Sequence, residues 1–254
     1  MGKTPPLRII KNDVVLNIAH FGVDDINNFW VDRVQNDSWE DHTFKIIDKY
    51  KHKGKVMIDL GGWIGVTPMY SADKFEHIIA FECDKEALKR FKANLLVNPQ
   101  IQNIRIIEQA IWKNNGTLKI GHKADGKWGD SESSVYFQND SSIEVECITL
   151  IKCLDNLRIH PRNVSFIKCD IEGAEYEVIN NIKDLLGAYK PHLYLSIHHH
   201  LLTERQVYYM LSDLFHIYAN CVVYDANGKS FNVDRETIMK NRLLDCFFTN
   251  HPTK

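Results

Sequence analysis

No run in the 254 residues approaches the ~18 consecutive apolar residues that a membrane-spanning helix requires. The stretch from Met1 to Asn12 is polar and carries Pro5-Pro6, so it lacks the apolar centre of a secretory leader. Both absences lead to the expectation of a soluble, cytoplasmic protein. No C-x-x-C pair occurs among the six cysteines, Cys83, Cys147, Cys153, Cys169, Cys221 and Cys246. Three of them, Cys147, Cys169 and Cys221, lie in apolar runs, which reads as buried thiols in a reducing compartment rather than a disulfide framework. Surplus positive charge is missing too. With 31 Lys and Arg against 33 Asp and Glu, the formal net charge is -2. That balance gives no electrostatic footprint for nucleic acid. There is no internal repeat and no low-complexity tract.

What remains is an ordinary globular composition, 44% hydrophobic and 25% charged. The length suits one large α/β domain with a short lead-in. The expected division is a lead-in over residues 1–50, part helix and part lid, and a ligand-binding domain over residues 51–254. The lead-in shows no alternation of strand and helix signals. Its one clear element is an amphipathic helix over residues 41–50, with Phe44, Ile46, Ile47 and Tyr50 on its apolar side.

From Lys55 onward the alternation is regular. Val56-Met57-Ile58-Asp59-Leu60 reads as a buried parallel strand, followed by a helix over 67–74. A strand over 77–82 follows, then a helix that Asp84 can cap and Asn98-Pro99 stops. A third strand spans 104–107. The spacing predicts a hairpin over 112–120, turning at Asn114-Asn115-Gly116, and a mobile loop over 121–134 rich in Gly, Asp, Lys and Ser. Further strands are expected over 145–150, 164–170, 192–198, 217–224 and 243–249, with helices over 174–186 and 203–214 and a turn at Asn227-Gly228. Repeated β-α-β text predicts a Rossmann-like, mostly parallel sheet with helices on both faces. The late pair of strands predicts an antiparallel hairpin at one edge.

The segment Asp59-Leu60-Gly61-Gly62-Trp63-Ile64-Gly65 leaves the first strand where such sheets bind ligands, beyond the carboxyl ends of the strands. Glycine there lets a ligand approach the backbone. Glu82 ends the second strand at the spacing at which an acidic side chain takes a ribose diol. The pair points to an adenosine cofactor, against the alternative of a tight turn with no ligand. A dinucleotide fingerprint fails, because Leu60 stands where the first glycine of G-x-G-x-x-G belongs. S-adenosylmethionine carries a sulfonium and an ammonium instead of a pyrophosphate. Asp59 can hold the ammonium, and Trp63 can face a cation.

Together with Ala80-Phe81-Glu82-Cys83-Asp84, Asn94-Leu95-Leu96-Val97-Asn98, Gln109-Ala110-Ile111 and Lys168-Cys169-Asp170-Ile171-Glu172-Gly173-Ala174-Glu175, this segment resembles the FkbM-type methyltransferase family. The last segment matches a Lys-x-Asp-x-Glu-Gly-x-Glu motif and is the most distinctive. Trp39-Glu40-Asp41-His42-Thr43 resembles an entry motif of one branch. The likeness covers about Trp39 to His198. It implies that Asp59, Gly61, Gly62 and Gly65 line the cofactor, that Glu82 binds its ribose, that Gln109 and Ala110 flank the adenine, and that Asp170 lies beside the methyl group. Trp39, Glu40 and Thr43 would fold over the cofactor as a lid, or simply begin a helix. Cys83 stands where the family usually has proline and is counted with the cofactor residues. Ile151 replaces a usual Asp, and Ser196 replaces an acidic residue two before His198, so any carboxylate role there is lost or passes to Asp170 or Glu172.

Asp170, Glu172 and His198 fall at the carboxyl ends of adjacent predicted strands and are the candidate catalytic residues. His198 is the first candidate base, since its ordinary pKa is near neutrality; the alternative is a histidine that only hydrogen-bonds. Glu172 and Glu175 can equally begin a helix, where negative charge is favourable. His198-His199-His200 with Asp170 and Glu172 invites a divalent metal, but consecutive histidines point apart and no spaced ligand motif supports it, so no metal is assigned. The expectation is an S-adenosylmethionine-dependent O-methyltransferase for a hydroxyl of a sugar or other small metabolite. The loop over 121–134 and the helix from Thr203 would shape the acceptor's pocket. The rivals are a nicotinamide oxidoreductase, a nucleic-acid or protein methyltransferase, and a non-catalytic nucleoside-binding module.

Overall fold

A computed structural model describes residues 5–21, 26–123, 128–129, 131–140, 142–225, 228–231 and 243–251. The predicted loop over 121–134 and the turn at Asn227-Gly228 therefore lie partly outside the described residues.

The chain opens with a hairpin of β1 (Leu7–Lys11) and β2 (Val14–Ile18), which the sequence reading lacks. Its signal was there in period two: Ile9, Leu16 and Ile18 are buried while Ile10 and Val15 are exposed. Asn12 takes the left-handed turn position at φ 49°. Two short helices follow, α1 (Ile26–Gln35) and α2 (Asp41–Tyr50). Next come β3 (His52–Leu60), α3 (Val66–Ser71), β4 (Phe75–Phe81), α4 (Lys85–Leu96) and β5 (Ile104–Ile107). The middle holds β6 (Ala110–Ile111), β7 (Gly116–Ile120), β8 (Ile143–Ile148) and α5 (Leu150–Leu157). The second half holds β9 (Val164–Cys169), α6 (Glu175–Tyr189), β10 (His192–His198), α7 (Glu204–Ile217), β11 (Asn220–Tyr224), β12 (Ser230–Phe231) and β13 (Leu243–Thr249).

Eight strands form the main sheet in the order β12-β11-β13-β10-β9-β3-β4-β5. The run from β10 to β5 is parallel, and β13 lies antiparallel between β10 and β11. Sequence order reverses between β3 and β9, which opens a crevice at the carboxyl ends of those strands. The strands are buried on both faces. In β3, Val56, Ile58 and Leu60 join the core formed with α5, α6 and α7, while Met57 joins the core formed with α2, α3 and the N-terminal hairpin. Each such side chain removed from water is worth roughly 1.5–3 kcal/mol. The hairpin is pinned to the end of α4, because Asn17 N–H donates to Asn98 Oδ1 at 2.9 Å and Asn98 Nδ2 returns a bond to Asn17 O at 2.6 Å.

Two expectations are corrected. Residues 112–120 do not form a hairpin with each other, since β8 inserts between β6 and β7, parallel to one and antiparallel to the other. A strand distant in sequence outcompetes the local pairing. The strand expected over 145–150 stops at Ile148, because the Thr149 side chain accepts from Lys152 N–H and starts α5.

Candidate active site

A cavity of about 390 Å³ lies beyond the carboxyl ends of β3, β4, β9 and β10. The turn after β3 forms its floor. Gly61 and Gly65 are left-handed, at φ 87° and 89°. A Cβ at Gly61 would fall 1.9 Å from the Asp170 carbonyl oxygen, and one at Gly65 would fall 2.1 Å from the Phe91 ring. These glycines are thus dictated by neighbouring protein, and the compact turn they permit leaves the space above it open. Trp63 is also left-handed, at φ 46°. Its backbone N–H donates to Glu82 Oε2 at 2.8 Å, and its indole Nε1–H donates to Gly129 O at 2.9 Å.

Glu82 ends β4 with its carboxylate held in place. Besides Trp63, the backbone N–H groups of Cys83 and Asp84 donate to its Oε1 at 2.7 and 2.8 Å. Burial raises its pKa to about 7 despite those donors. Asp84 caps α4 through Glu86 N–H and Ala87 N–H, and its second oxygen accepts from Gly129 N–H at 2.6 Å and Ser133 Oγ at 3.0 Å. That carboxylate ties the loop that carries Ser131 and Ser133 to the cavity wall. Over the other side Trp63 meets Trp30 edge-on at 5.0 Å and Trp39 at 6.0 Å.

Below the tryptophans lies a crowded set of charges. Lys168, nearly fully buried, sits 3.2 Å from Asp170 Oδ2 and 3.7 Å from Asp59 Oδ1. Both oxygens of Asp59 are buried without a hydrogen-bond partner, and burial raises its pKa to about 6 against the pull of Lys168. Glu40 Oε2 is likewise buried and unpartnered, and burial pushes that carboxyl to about 8. Burial opposes ionisation of Asp170 as well, but Lys168 and His198 outweigh it and bring its pKa below the usual range.

His198 closes the far wall. Its Nε2 is 3.3 Å from Glu172 Oε1 and 3.7 Å from Asp170 Oδ1. Burial favours the neutral ring, yet Glu175 and Glu172 win and raise its pKa well above the ordinary value. Ligand-type atoms of Asp170, Glu172 and His198 all lie within 4.8 Å of one another. Of the three consecutive histidines, only His198 borders the cavity.

Twelve expected residues border the cavity: Trp39, Glu40, Gly61, Gly62, Trp63, Glu82, Cys83, Gln109, Ala110, Asp170, Glu172 and His198. Thr43, Asp59 and Gly65 are buried and do not border it. The reading missed a polar network beside them. Asp245 of β13 pairs in register with Ser196, accepts from Ser196 Oγ at 2.6 Å, and lies 2.9 Å from His42 Nε2. The Tyr194 hydroxyl lies 2.9 Å from the same nitrogen. Asp245 thus supplies a carboxylate at the position that Ser196 had seemed to vacate. Only the cross-strand register reveals it, so no local motif carries the signal.

The residues fit S-adenosylmethionine. Glu82 has a carboxylate fixed at the end of β4, indole rings stand over the turn, and an orphaned carboxylate oxygen of Glu40 awaits a donor. The Methyltransferase FkbM domain matches residues 50–223. The chain belongs to that methyltransferase family, and its central sheet is mostly parallel. No curated protein matches it. Methyltransferase FkbM from Methylobacillus flagellatus KT shares 17% identity at a TM-score of 0.48, over 82% of this chain and 51% of that one, so the chain spans about half of its length. An rRNA methylase from Streptococcus thermophilus shares 12% identity at a TM-score of 0.48, over 83% and 95% of the two chains. A SAM-dependent methyltransferase from Agrobacterium tumefaciens shares 11% identity at a TM-score of 0.49, over 99% and 72%. Among the described residues, no helix is long and apolar enough to cross a membrane.

Proposed function

We propose that this methyltransferase acts on a hydroxyl of a small molecule, a sugar or a related metabolite. The observation that carries the reading is the placement of His198, Glu172 and Asp170 together on the wall of the cavity that Glu82 also borders. The cofactor supplies an electrophilic methyl group. Glu82 would take its ribose hydroxyls, Gln109 and Ala110 would flank the base, and Glu40 with Asp170 would meet its cationic end. Neutral His198 would accept the hydroxyl proton of the acceptor at Nε2, with its other nitrogen fixed by Glu175. Asp170 and Glu172 would hold the acceptor oxygen in line with the methyl group, which converts an encounter into a local step.

The charge of the lining argues against a polyanionic acceptor. Among the described residues, six acidic side chains, Glu40, Glu82, Asp84, Asp170, Glu172 and Asp245, border the cavity against two permanent cations, Arg33 and Lys168, and burial disfavours the charged form of Glu40 and Glu82. Nucleic-acid enzymes gain affinity by the reverse balance.

The test is transfer of labelled methyl from S-adenosylmethionine to a panel of sugars and hydroxylated metabolites, with and without a chelator. His198→Ala is expected to lower turnover by about 100-fold or more while S-adenosylhomocysteine still binds, and Asp170→Ala is expected to lower turnover as much and to weaken S-adenosylhomocysteine binding as well. Full activity in both variants removes these roles. Loss of turnover to the chelator, restored by added divalent cation, would show that a metal is required, and Asp170, Glu172 and His198 are the residues grouped closely enough to hold one among the described residues.

A further inference from the structure

We propose that the end of the molecule opposite the cavity is a docking surface for an anionic lipid bilayer. This surface lies apart from the methyl-transfer site, and its role does not depend on what the acceptor is.

The parallel strands β3, β9 and β10 lie side by side, so their amino ends form one surface at the end of the sheet away from the cavity. Six cations gather there: Lys51, Lys53 and Lys55 at the start of β3, Arg158 and Arg162 ahead of β9, and Lys190 ahead of β10. Five are exposed and Lys55 is partly so. Contacts run across the surface from one segment to the next. Lys55 Nζ donates to Arg162 O at 3.1 Å, Arg162 N–H donates to His160 Nδ1 at 3.1 Å, and the His160 ring meets Tyr189 edge-on at 5.7 Å. Tyr189 adjoins Lys190, and two residues further on His192 packs on Tyr50, the neighbour of Lys51, at 4.6 Å.

Segments 51–55, 158–163 and 189–192 contain no acidic residue. Asp73 and Glu76 bound the surface on the β4 side, and Asp155 and Asp184 lie back along α5 and α6. Asp48, three residues before Lys51, is already engaged by Asn12, Tyr70 and Lys74. Among the described residues, none of the six cations forms an ion pair. Three have a reason within the fold to be there: Lys51, Arg158 and Lys190 cap the carboxyl ends of α2, α5 and α6, where positive charge offsets the helix dipole. Lys53, Lys55 and Arg162 stand at no α-helix end. Like charges gathered without counter-charge repel one another, so the surface calls for an anion from outside the chain.

The residue types favour a bilayer over nucleic acid. Lysine outnumbers arginine four to two, and lysine is a hydrated point charge suited to a diffuse negative field rather than to a bidentate grip on one phosphate. Clusters of roughly four to eight such cations bind anionic leaflets. Tyr189, 42% exposed, offers a ring with a polar tip at the level of the headgroups. Single-stranded nucleic acid calls for a series of rings on which successive bases stack. The far end of the molecule has the opposite character, since Asp84, Asp170, Glu172 and Asp245 border the cavity there. An anionic surface attracts one end and repels the other, which turns the cavity toward solution.

The experiment is sedimentation with vesicles of phosphatidylcholine alone and of phosphatidylcholine mixed with phosphatidylserine, at low and high salt. Binding is expected only to the mixed vesicles and should be lost at high salt. Lys53→Gln, Lys55→Gln and Arg162→Gln, combined, should weaken it about a hundredfold. Lys85→Gln, Lys89→Gln and Lys92→Gln, combined, remove the same charge from α4 and should leave binding as in the parent protein. Melting temperatures check that both variants fold; if the first does not, Lys51→Gln with Lys190→Gln should show a smaller loss in the same direction. The affinity for S-adenosylhomocysteine should be equal with and without vesicles. The proposal is overturned if the parent protein binds both kinds of vesicle equally or neither, or if the α4 variant loses as much binding as the first. It is also overturned if vesicles displace S-adenosylhomocysteine, or if the protein sediments with single-stranded RNA and not with vesicles.

Discussion

Glu175 Oε1 lies 2.8 Å from Nδ1 of His198, and the same oxygen accepts the N–H groups of Gly173 at 3.0 Å and Ile171 at 3.3 Å. One fully buried carboxylate oxygen thus fixes both the imidazole and the turn that carries Glu172. Glu175 touches the base but does not border the cavity, so it is a positioning residue.

Its charge is among the causes that raise the His198 pKa, so methyl transfer should increase with pH as His198 loses its proton. Glu175→Gln removes that charge and should move the rising limb of the pH–rate profile to lower pH by about one unit. A profile that stays in place would show that His198 is not the titrating base.

Stability should change with pH in a direction that the carboxylates set. Glu40, Glu82 and Asp59 have raised values of about 8, 7 and 6. The stability that comes from keeping them neutral is complete below their unfolded values and is lost as pH rises through the folded ones. His198, also raised, acts in the same sense. Asp170 is lowered, and its contribution is lost only in strong acid. The ligand-free protein should therefore melt at higher temperature at pH 6 than at pH 8, and Glu40→Gln should flatten the difference. Equal melting temperatures in the parent protein would contradict this.

Gly65→Ala should destabilise the fold by about 3 kcal/mol, combining left-handed strain with overpacking. The added Cβ would meet the buried Phe91 ring at 2.1 Å. Chemical denaturation measures it, and a loss under 1 kcal/mol would show that the ring yields easily.

Asp84→Ala should cost about 1 kcal/mol from the lost cap of α4. It should also weaken S-adenosylhomocysteine binding, because Gly129 and Ser133 lose the oxygen that holds them to the wall. Asp84→Asn, which keeps a capping oxygen, should recover more of the stability than of the affinity.

The central sheet was legible because its strands are short apolar runs broken by glycine, aspartate and proline, and both β10 and β13 have the expected bounds. The cavity residues after β3, β4 and β9 were legible for a related reason, since strand ends in such a sheet converge wherever order reverses. The N-terminal hairpin escaped because five-residue strands with two exposed apolar positions blur the alternation. The placement of β8 between β6 and β7 depends on pairings as distant as Ala110 with Cys147, which no short window of sequence contains. His42 and Asp245 come together across 203 positions for the same reason.

Strand β13 slots between β10 and β11, and its Asp245 is the last in sequence of the described residues that border the cavity at the strand ends. On the ribosome, a chain can have synthesised every glycine, the base and its positioning glutamate while still lacking one carboxylate of the wall. The wall of the cavity is thus finished only when a late strand enters between two strands already made, so the edge of the sheet and the site are completed together.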